Sequence, residues 1–158
     1  MKSQRGFTLI ELMVTIAVLA VVLGIAIPSF SNIVSSNRVD GGAQELYGAL
    51  QLARSEAVKR RARVSICRSN ADYDECADGT DWSAGWLMVT SDEDEPLRVW
   101  GAQGLEIEGP SAGVTFLASG MVSSVEGFTV TVPNCTGDQV RQIEVRLVGS
   151  ATLSREAC

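Results

Sequence analysis

The sequence predicts an α+β fold in which one long N-terminal helix packs on an antiparallel β-sheet head. Residues 7 to about 62 have helical periodicity, first apolar on all sides and then amphipathic. Beyond residue 62 the chain changes to short alternating segments separated by glycine-rich gaps, which is typical of antiparallel strands. We therefore expect a leader at 1–6, a transmembrane half-helix at 7–28, an amphipathic half-helix at 29–62 and a β-rich head at 63–158.

The first half of the helix has the length of a membrane span. Phe7–Ile27 contains one ionisable residue, Glu11, and about 21 helical residues rise roughly 30 Å. A carboxylate at the bilayer centre costs roughly 2.5 kcal/mol or more, so Glu11 is a functional candidate. A secretory signal peptide would be shorter and would end in a small-residue cleavage step. A plain membrane anchor would explain the length but not Glu11.

The second half of the helix is predicted to bend and then to bury one face. Pro28 removes a helical hydrogen bond, so we expect a kink there. Two glycines follow Asp40, and each destabilises the helix by about 1 kcal/mol relative to alanine. They indicate either a helical segment that melts or bends during assembly or a place where another element packs closely. The predicted buried stripe consists of Phe30, Ile33, Val34, Leu46, Leu50, Ala53 and Ala57.

The head contains six predicted strand segments. Trp86–Thr90 and Leu97–Trp100 flank an acidic turn and are predicted to form a hairpin. The other segments are Arg63–Cys67, Val114–Leu117, Phe128–Val132 and Gln142–Leu147. The three tryptophans are expected to lie in the core.

The N-terminal residues carry a specific resemblance. The basic leader Met1–Arg5 is followed by Gly6-Phe7-Thr8-Leu9-Ile10-Glu11, which resembles the class III signal of type IV prepilins and type II secretion pseudopilins. The resemblance implies that a prepilin peptidase cleaves after Gly6 and that Phe7 becomes the N-methylated N-terminus. It also implies that Glu11 pairs with the N-terminal amine of a neighbouring subunit, and that Pro28 is the kink-forming proline. The alternative for Glu11 is a carboxylate that extends to the lipid headgroups.

Four head segments resemble one branch of this family, the GspH/FimT-type minor pilins and pseudopilins. They are Ala53–Ala57, Trp82–Trp86, Phe116–Gly120 and Arg141–Val145. These motifs are looser than the leader motif.

Four cysteines are expected to form two disulfides. Cys67, Cys76, Cys135 and Cys158 contain no C-x-x-C pair, so a zinc site is not predicted. An even number of cysteines on the translocated side of a membrane favours disulfides. Three pairings are possible; we favour Cys67–Cys76 and Cys135–Cys158 because each closes a local loop. Free buried thiols are the alternative.

Composition argues against catalysis and against a bound cofactor. The chain has no histidine, no phosphate-binding loop and no dinucleotide motif, so we predict no catalytic residues, no cofactor and no metal. An acidic loop does not match EF-hand spacing and is expected to be solvated, although calcium binding stays an open alternative. Its acidic residues are Asp72, Asp74, Glu75, Asp78 and Asp81.

Nucleic acid is not a predicted partner. The net charge is −6, and the single basic cluster, at residues 59–63, is expected to be a solvated helix end. DNA-uptake pilins resemble this branch but carry a Gly-Arg-x-Arg-like step near the C-terminus. Here the corresponding residues are Gly149–Thr152, without arginine.

The resemblance implies a minor pilin of a type IV pilus, processed by prepilin peptidase, that helps to initiate or tip pilus assembly. The two-disulfide head favours a FimU-like subunit. The alternatives are a GspH-type pseudopilin of the type II secretion system and a DNA-binding competence pilin. The implied partners are other minor and major pilins or pseudopilins, prepilin peptidase, the inner-membrane assembly platform and, before assembly, membrane lipid. The implied location is the inner membrane, single-pass with a periplasmic head, and then the filament.

Overall fold

The structure of the chain, a computed structural model, describes residues 7–91, 96–101 and 103–158, without the side chains of residues 25–29. Gly6 and the Pro28 side chain therefore lie outside the described residues, and the predicted kink stays a prediction. The chain divides into two compact units, Met1–Val34 and Ser35–Cys158.

One helix and eight strands make up the described chain. The helix is α1 (Leu9–Arg60), and the strands are β1 (Val64–Arg68), β2 (Gly85–Thr90), β3 (Arg98–Gly101), β4 (Glu106–Glu108), β5 (Val114–Phe116), β6 (Glu126–Thr131), β7 (Val140–Val145) and β8 (Ala151–Glu156). In the first unit, the large apolar side chains of α1 as far as Leu23 are exposed. Among the residues that the structure describes, no helix meets the length and hydropathy expected of a membrane span.

The second unit contains two four-stranded antiparallel sheets. The first has the order β3-β2-β1-β5 and the second has the order β4-β6-β7-β8. In the first sheet, Val64 of β1 lies between Thr90 and Phe116. In the second, Ile143 of β7 lies between Phe128 and Leu153. The predicted α+β class, one helix packed on antiparallel sheet, is confirmed, and the hairpin of β2 and β3 is present.

One face of α1 forms the centre of the core, as its periodicity predicted. The stripe residues Leu46, Leu50, Ala53 and Ala57 are fully buried. The predicted beginning of the stripe was wrong, because Phe30, Ile33 and Val34 are exposed and the buried face starts at Val39. These three residues belong to the first unit, so the periodicity had been extended across a unit boundary.

The two mid-helix glycines have different environments. A Cβ added to Gly42 would overlap Leu105 Cδ1 and would lie 2.9 Å from Gln103 Oε1. A Cβ added to Gly41 would meet no atom within 4 Å. Close packing therefore accounts for Gly42, and no contact of the second unit accounts for Gly41.

This difference predicts opposite effects of two alanine substitutions. We expect Gly41→Ala to raise the free energy of unfolding by up to about 1 kcal/mol through helix propensity. We expect Gly42→Ala to lower it by about 1 kcal/mol, because overpacking against buried Leu105 exceeds the propensity gain. Denaturant unfolding of the full chain in detergent, followed by tryptophan fluorescence, measures both. Equal shifts of the same sign would contradict the packing role of Gly42.

Candidate functional site

The first turn of α1 is capped by Thr8, which belongs to the segment that follows the basic leader. The Glu11 backbone N–H donates to Thr8 Oγ1 at 3.2 Å, and the Leu12 N–H donates to the Thr8 carbonyl at 3.2 Å. Thr8 is therefore the N-cap and Glu11 is the third helical residue, the spacing of a capping box. The Thr8-x-x-Glu11 spacing is a signature of such a cap in the sequence, and it was not among the predicted features. The Glu11 carboxylate lies in the first turn of its own helix, where a negative charge is favourable.

A buried arginine joins α1 to the second sheet. Arg141 is 1% exposed, and its Nε donates to Asp40 Oδ1 at 2.6 Å. Its remaining nitrogens donate to Ser36 Oγ at 3.3 Å and to the carbonyls of Asp138 and Val140 at 2.7 and 2.8 Å. Each guanidinium nitrogen therefore has a partner, as a buried charge requires.

Asp40 is the carboxylate that pairs with Arg141. On its solvent side Arg155 donates to Oδ2 at 3.2 Å. The hydrogen bond from Arg141 is the main reason that the pKa of Asp40 lies below its usual value; partial burial opposes this shift, and the charges of Arg141 and Arg155 add to it. Asp40 is therefore held ionised at neutral pH.

A second arginine joins α1 to two turns of the head. Arg54 Nε donates to the Gly120 carbonyl at 3.1 Å, and Nη2 donates to the Val148 carbonyl at 3.0 Å. Two of the GspH/FimT-like segments, Ala53–Ala57 and Phe116–Gly120, thus meet at one arginine. Between the turns, a Cβ at Gly149 would overlap the Gly120 carbonyl oxygen, so glycine is required by this close approach.

The cysteines form two disulfides within the head. Cys67 is bonded to Cys76 and Cys135 to Cys158, with Cα–Cα distances of 5.5 and 5.8 Å. These are the two local pairings that the sequence favoured. The second one anchors the final residue, whose N–H also donates to the Gly137 carbonyl.

The acidic loop is solvated in this structure. All five of its predicted acidic residues are exposed. Asp81 accepts from the Ser83 N–H at 2.9 Å; hydrogen bonds from Ser83 lower the pKa of its carboxyl, and the charge of Arg68 adds to this. Within residues 7–91, 96–101 and 103–158, no three His, Cys, Asp or Glu side chains are grouped as metal ligands.

The basic cluster at the end of α1 is partly paired. Lys59 and Arg60 both contact Glu56, at 3.4 and 2.8 Å. Arg61 has a φ of 55° and ends the helix in the left-handed region. Arg61 and Arg63 are exposed. The structure therefore separates the cluster into two paired side chains and two that face solvent.

Two family models match this chain. Residues 42–150 match the family described as "Type II transport protein GspH", and residues 1–27 match the "Prokaryotic N-terminal methylation motif".

Named relatives match different lengths of this chain. The type II secretion system protein H of Pseudomonas aeruginosa is 31% identical over 109 residues, which are 69% of this chain and 62% of the relative. A fimbrial protein of the same species is 38% identical over 65 residues, which are 41% of this chain and 42% of the relative. The matched regions thus span less than two thirds of these relatives.

Solved structures share the fold. The type IV minor pilin FimU of Pseudomonas aeruginosa has a TM-score of 0.59 and 27% identity, covering 75% of this chain and 89% of that chain. The minor pseudopilin EpsH of Vibrio cholerae has a TM-score of 0.50 and 16% identity, covering 74% and 96%, and this likeness shows the fold alone.

Proposed function

This chain belongs to the GspH family of type II transport proteins, and we propose that it is a minor pilin of a type IV pilus that helps to initiate or tip the filament. Its family consists of structural pilin and pseudopilin subunits rather than a known class of enzymes. Family membership indicates assembly with other pilins. The specific partners that we propose are other minor and major pilins and the inner-membrane assembly platform.

One combination of observations supports the pilus assignment most strongly. The chain resembles FimU at 27% identity over 75% of its own length and 89% of that chain, and its residues 1–27 match an N-terminal methylation motif. The likeness to EpsH lies at 16% identity and adds the fold only. FimU is a type IV minor pilin, so of these two solved structures the one with the higher sequence identity favours a pilus subunit.

The proposal places the chain first in the inner membrane and then in a filament. Residues 7–28 would insert as a single span, with the head in the periplasm. The apolar side chains that α1 exposes as far as Leu23 suit both lipid and the interior of a helical assembly. The two disulfides suit an oxidising compartment.

Processing yields a direct prediction about the N-terminus. We expect prepilin peptidase to remove residues 1–6, so that the mature chain begins at Phe7 with one added methyl group. Intact mass spectrometry of the membrane form measures this, and Gly6→Val should leave the full-length chain. Gly24→Val is the matched control, because it makes the same change outside the motif. Full-length protein in cells with an active peptidase would refute the assignment.

A secretion pseudopilin is the second candidate, favoured by the 31% identity to a type II secretion system protein H. Deletion of the gene followed by complementation separates the two. Loss of surface pili with normal export of secreted enzymes supports the pilus assignment. Loss of export with normal pili would establish the pseudopilin assignment instead.

A further inference from the structure

Exposed apolar side chains of the head are concentrated where the two turns meet the end of α1. Five large aliphatic side chains in this region are between 39% and 58% exposed: Val58, Leu117, Met121, Leu147 and Val148. We call them the turn patch. An apolar group of this size on the surface marks an interaction site more often than scattered single residues do.

The members of the turn patch are held together by backbone contacts. The Leu117 N–H donates to the Met121 carbonyl at 2.8 Å, and the Val122 N–H donates to the Leu147 carbonyl at 3.0 Å. The Val58 side chain would lie 3.0 Å from a Cβ on Gly120, between the two turns. Because Arg54 hydrogen-bonds both turns, this surface is ordered before any partner binds.

A cleft that contains two arginines adjoins the turn patch. Arg61 and Arg63 line a cavity of about 480 Å³ together with Leu117 and Ser119. Among the described residues, neither guanidinium has a carboxylate partner. A matching partner surface therefore combines an apolar centre with carboxylates at one side.

The position of the turn patch argues against lipid as the partner. Val58 lies about 35 Å along α1 from Ser35, the first residue of the second unit, at a helical rise of 1.5 Å per residue. A membrane that ends where the second unit begins does not extend so far. Among the described residues, the turn patch and the cleft contain no carboxylate, so a second identical patch would not supply opposite charges for Arg61 and Arg63.

We propose that the turn patch is the docking surface for the head of a different pilin, one with an apolar surface bordered by carboxylates. This inference rests on the proposed function, because a filament subunit must contact the heads of its neighbours. It adds to that function the surface that makes the contact.

Site-specific photocrosslinking in cells tests the surface. Full-length chain carries benzoylphenylalanine in place of Val148, or, as the control, in place of exposed Val99 on the other sheet. We expect a crosslink at position 148 to a protein that mass spectrometry identifies as another pilin or pseudopilin, with at least a fivefold lower yield at position 99. Arg61→Glu with Arg63→Glu should lower the yield at position 148 by at least fivefold.

Each other outcome overturns the proposal. A crosslink to lipid, to a second copy of this chain or to a protein without a pilin fold contradicts the partner. Equal yields at the two positions, or no product from position 148, contradict the surface. Recovery of the same variants in sheared filaments is measured in parallel. Normal recovery without a crosslink refutes this inference alone, whereas absence of wild-type chain from filaments refutes the proposed function.

Discussion

Asp40→Ala is expected to lower the free energy of unfolding of the head by about 3 kcal/mol. The substitution leaves Arg141, which is 1% exposed, without its carboxylate partner. Breaking a buried ion pair from one side costs about 3–5 kcal/mol, because the remaining charge stays desolvated. We expect the low end of that range, since Asp40 is itself 30% exposed and water can enter after the substitution.

The cause of this loss can be tested by removing the second charge. If an uncompensated guanidinium is the reason, adding Arg141→Met to Asp40→Ala should recover about 1 kcal/mol or more, because no buried charge remains. If the loss came only from missing contacts of α1, the double variant would be less stable than the single one.

Arg155→Ala is the matched control for the same carboxylate. Arg155 contacts Asp40 Oδ2 from solvent and is 70% exposed, so the loss should stay below about 1 kcal/mol. Denaturant unfolding of the full chain in detergent measures all the variants. The signal is tryptophan fluorescence, since the three tryptophans are buried in the head. An Asp40→Ala loss as small as that of Arg155→Ala would refute the importance of the buried pair.

The same pair gives a pH dependence. The pKa of Asp40 is lowered in the folded chain relative to its usual value of 3.8, so folding favours the ionised form. Its contribution to stability is therefore present above about pH 4 and is lost as pH falls from there through the lowered pKa. The stability difference between wild type and Asp40→Ala should narrow over that acidic range.

Sequence periodicity predicted the helix and most strands because those segments show strong patterns. It missed β4 and β8, and it gave no division into two sheets. β4 contains one buried residue, Ile107, between two exposed glutamates. A strand of three residues is too short for the alternation of apolar and polar residues to be recognised. β8 is an edge strand with four of its six residues exposed, so its sequence lacks the alternation that burial produces. The division into two sheets depends on pairing between distant residues, which a local pattern does not contain.

The roles of Arg141 and Arg54 in connecting α1 to the head were also not predicted, although part of the pattern that indicates them is present in the sequence. Arg141 alternates with Ile143 and Val145 on the buried face of β7. Arg54 lies four residues after Leu50 and three before Ala57, next to the buried stripe of α1. A charged residue at a position where the pattern predicts burial indicates that it has a buried partner. Which group is the partner, Asp40 for Arg141 or a turn carbonyl for Arg54, depends on the tertiary fold. The leader motif was recognised because it is contiguous.

Glu11→Val is expected to leave the chain inserted and processed while abolishing most of its incorporation into filaments. Glu11 lies in the apolar run from Phe7 to Ile27, and in the proposed filament it faces the N-terminal ammonium of a neighbour, whose charge methylation preserves. A buried ammonium without a carboxylate costs several kcal/mol. We therefore expect recovery of the variant in sheared filaments to fall at least tenfold, with normal recovery in membranes.

The hydrogen bond from the Glu11 backbone N–H to Thr8 Oγ1 requires a control that separates pairing of the Glu11 carboxylate from capping of the helix. Glu11→Gln keeps a residue that is accepted in a capping box but removes the charge, whereas Thr8→Val removes the capping oxygen and keeps the charge. If Glu11 acts by pairing, Glu11→Gln should fail to enter filaments as Glu11→Val does, and Thr8→Val should enter them. If the filament instead requires the capped first turn of α1, the two results should be reversed. Quantitative blotting of sheared filaments against washed membranes, with the processed mass of each variant verified, distinguishes these outcomes, and normal recovery of both glutamate variants would refute the pairing role.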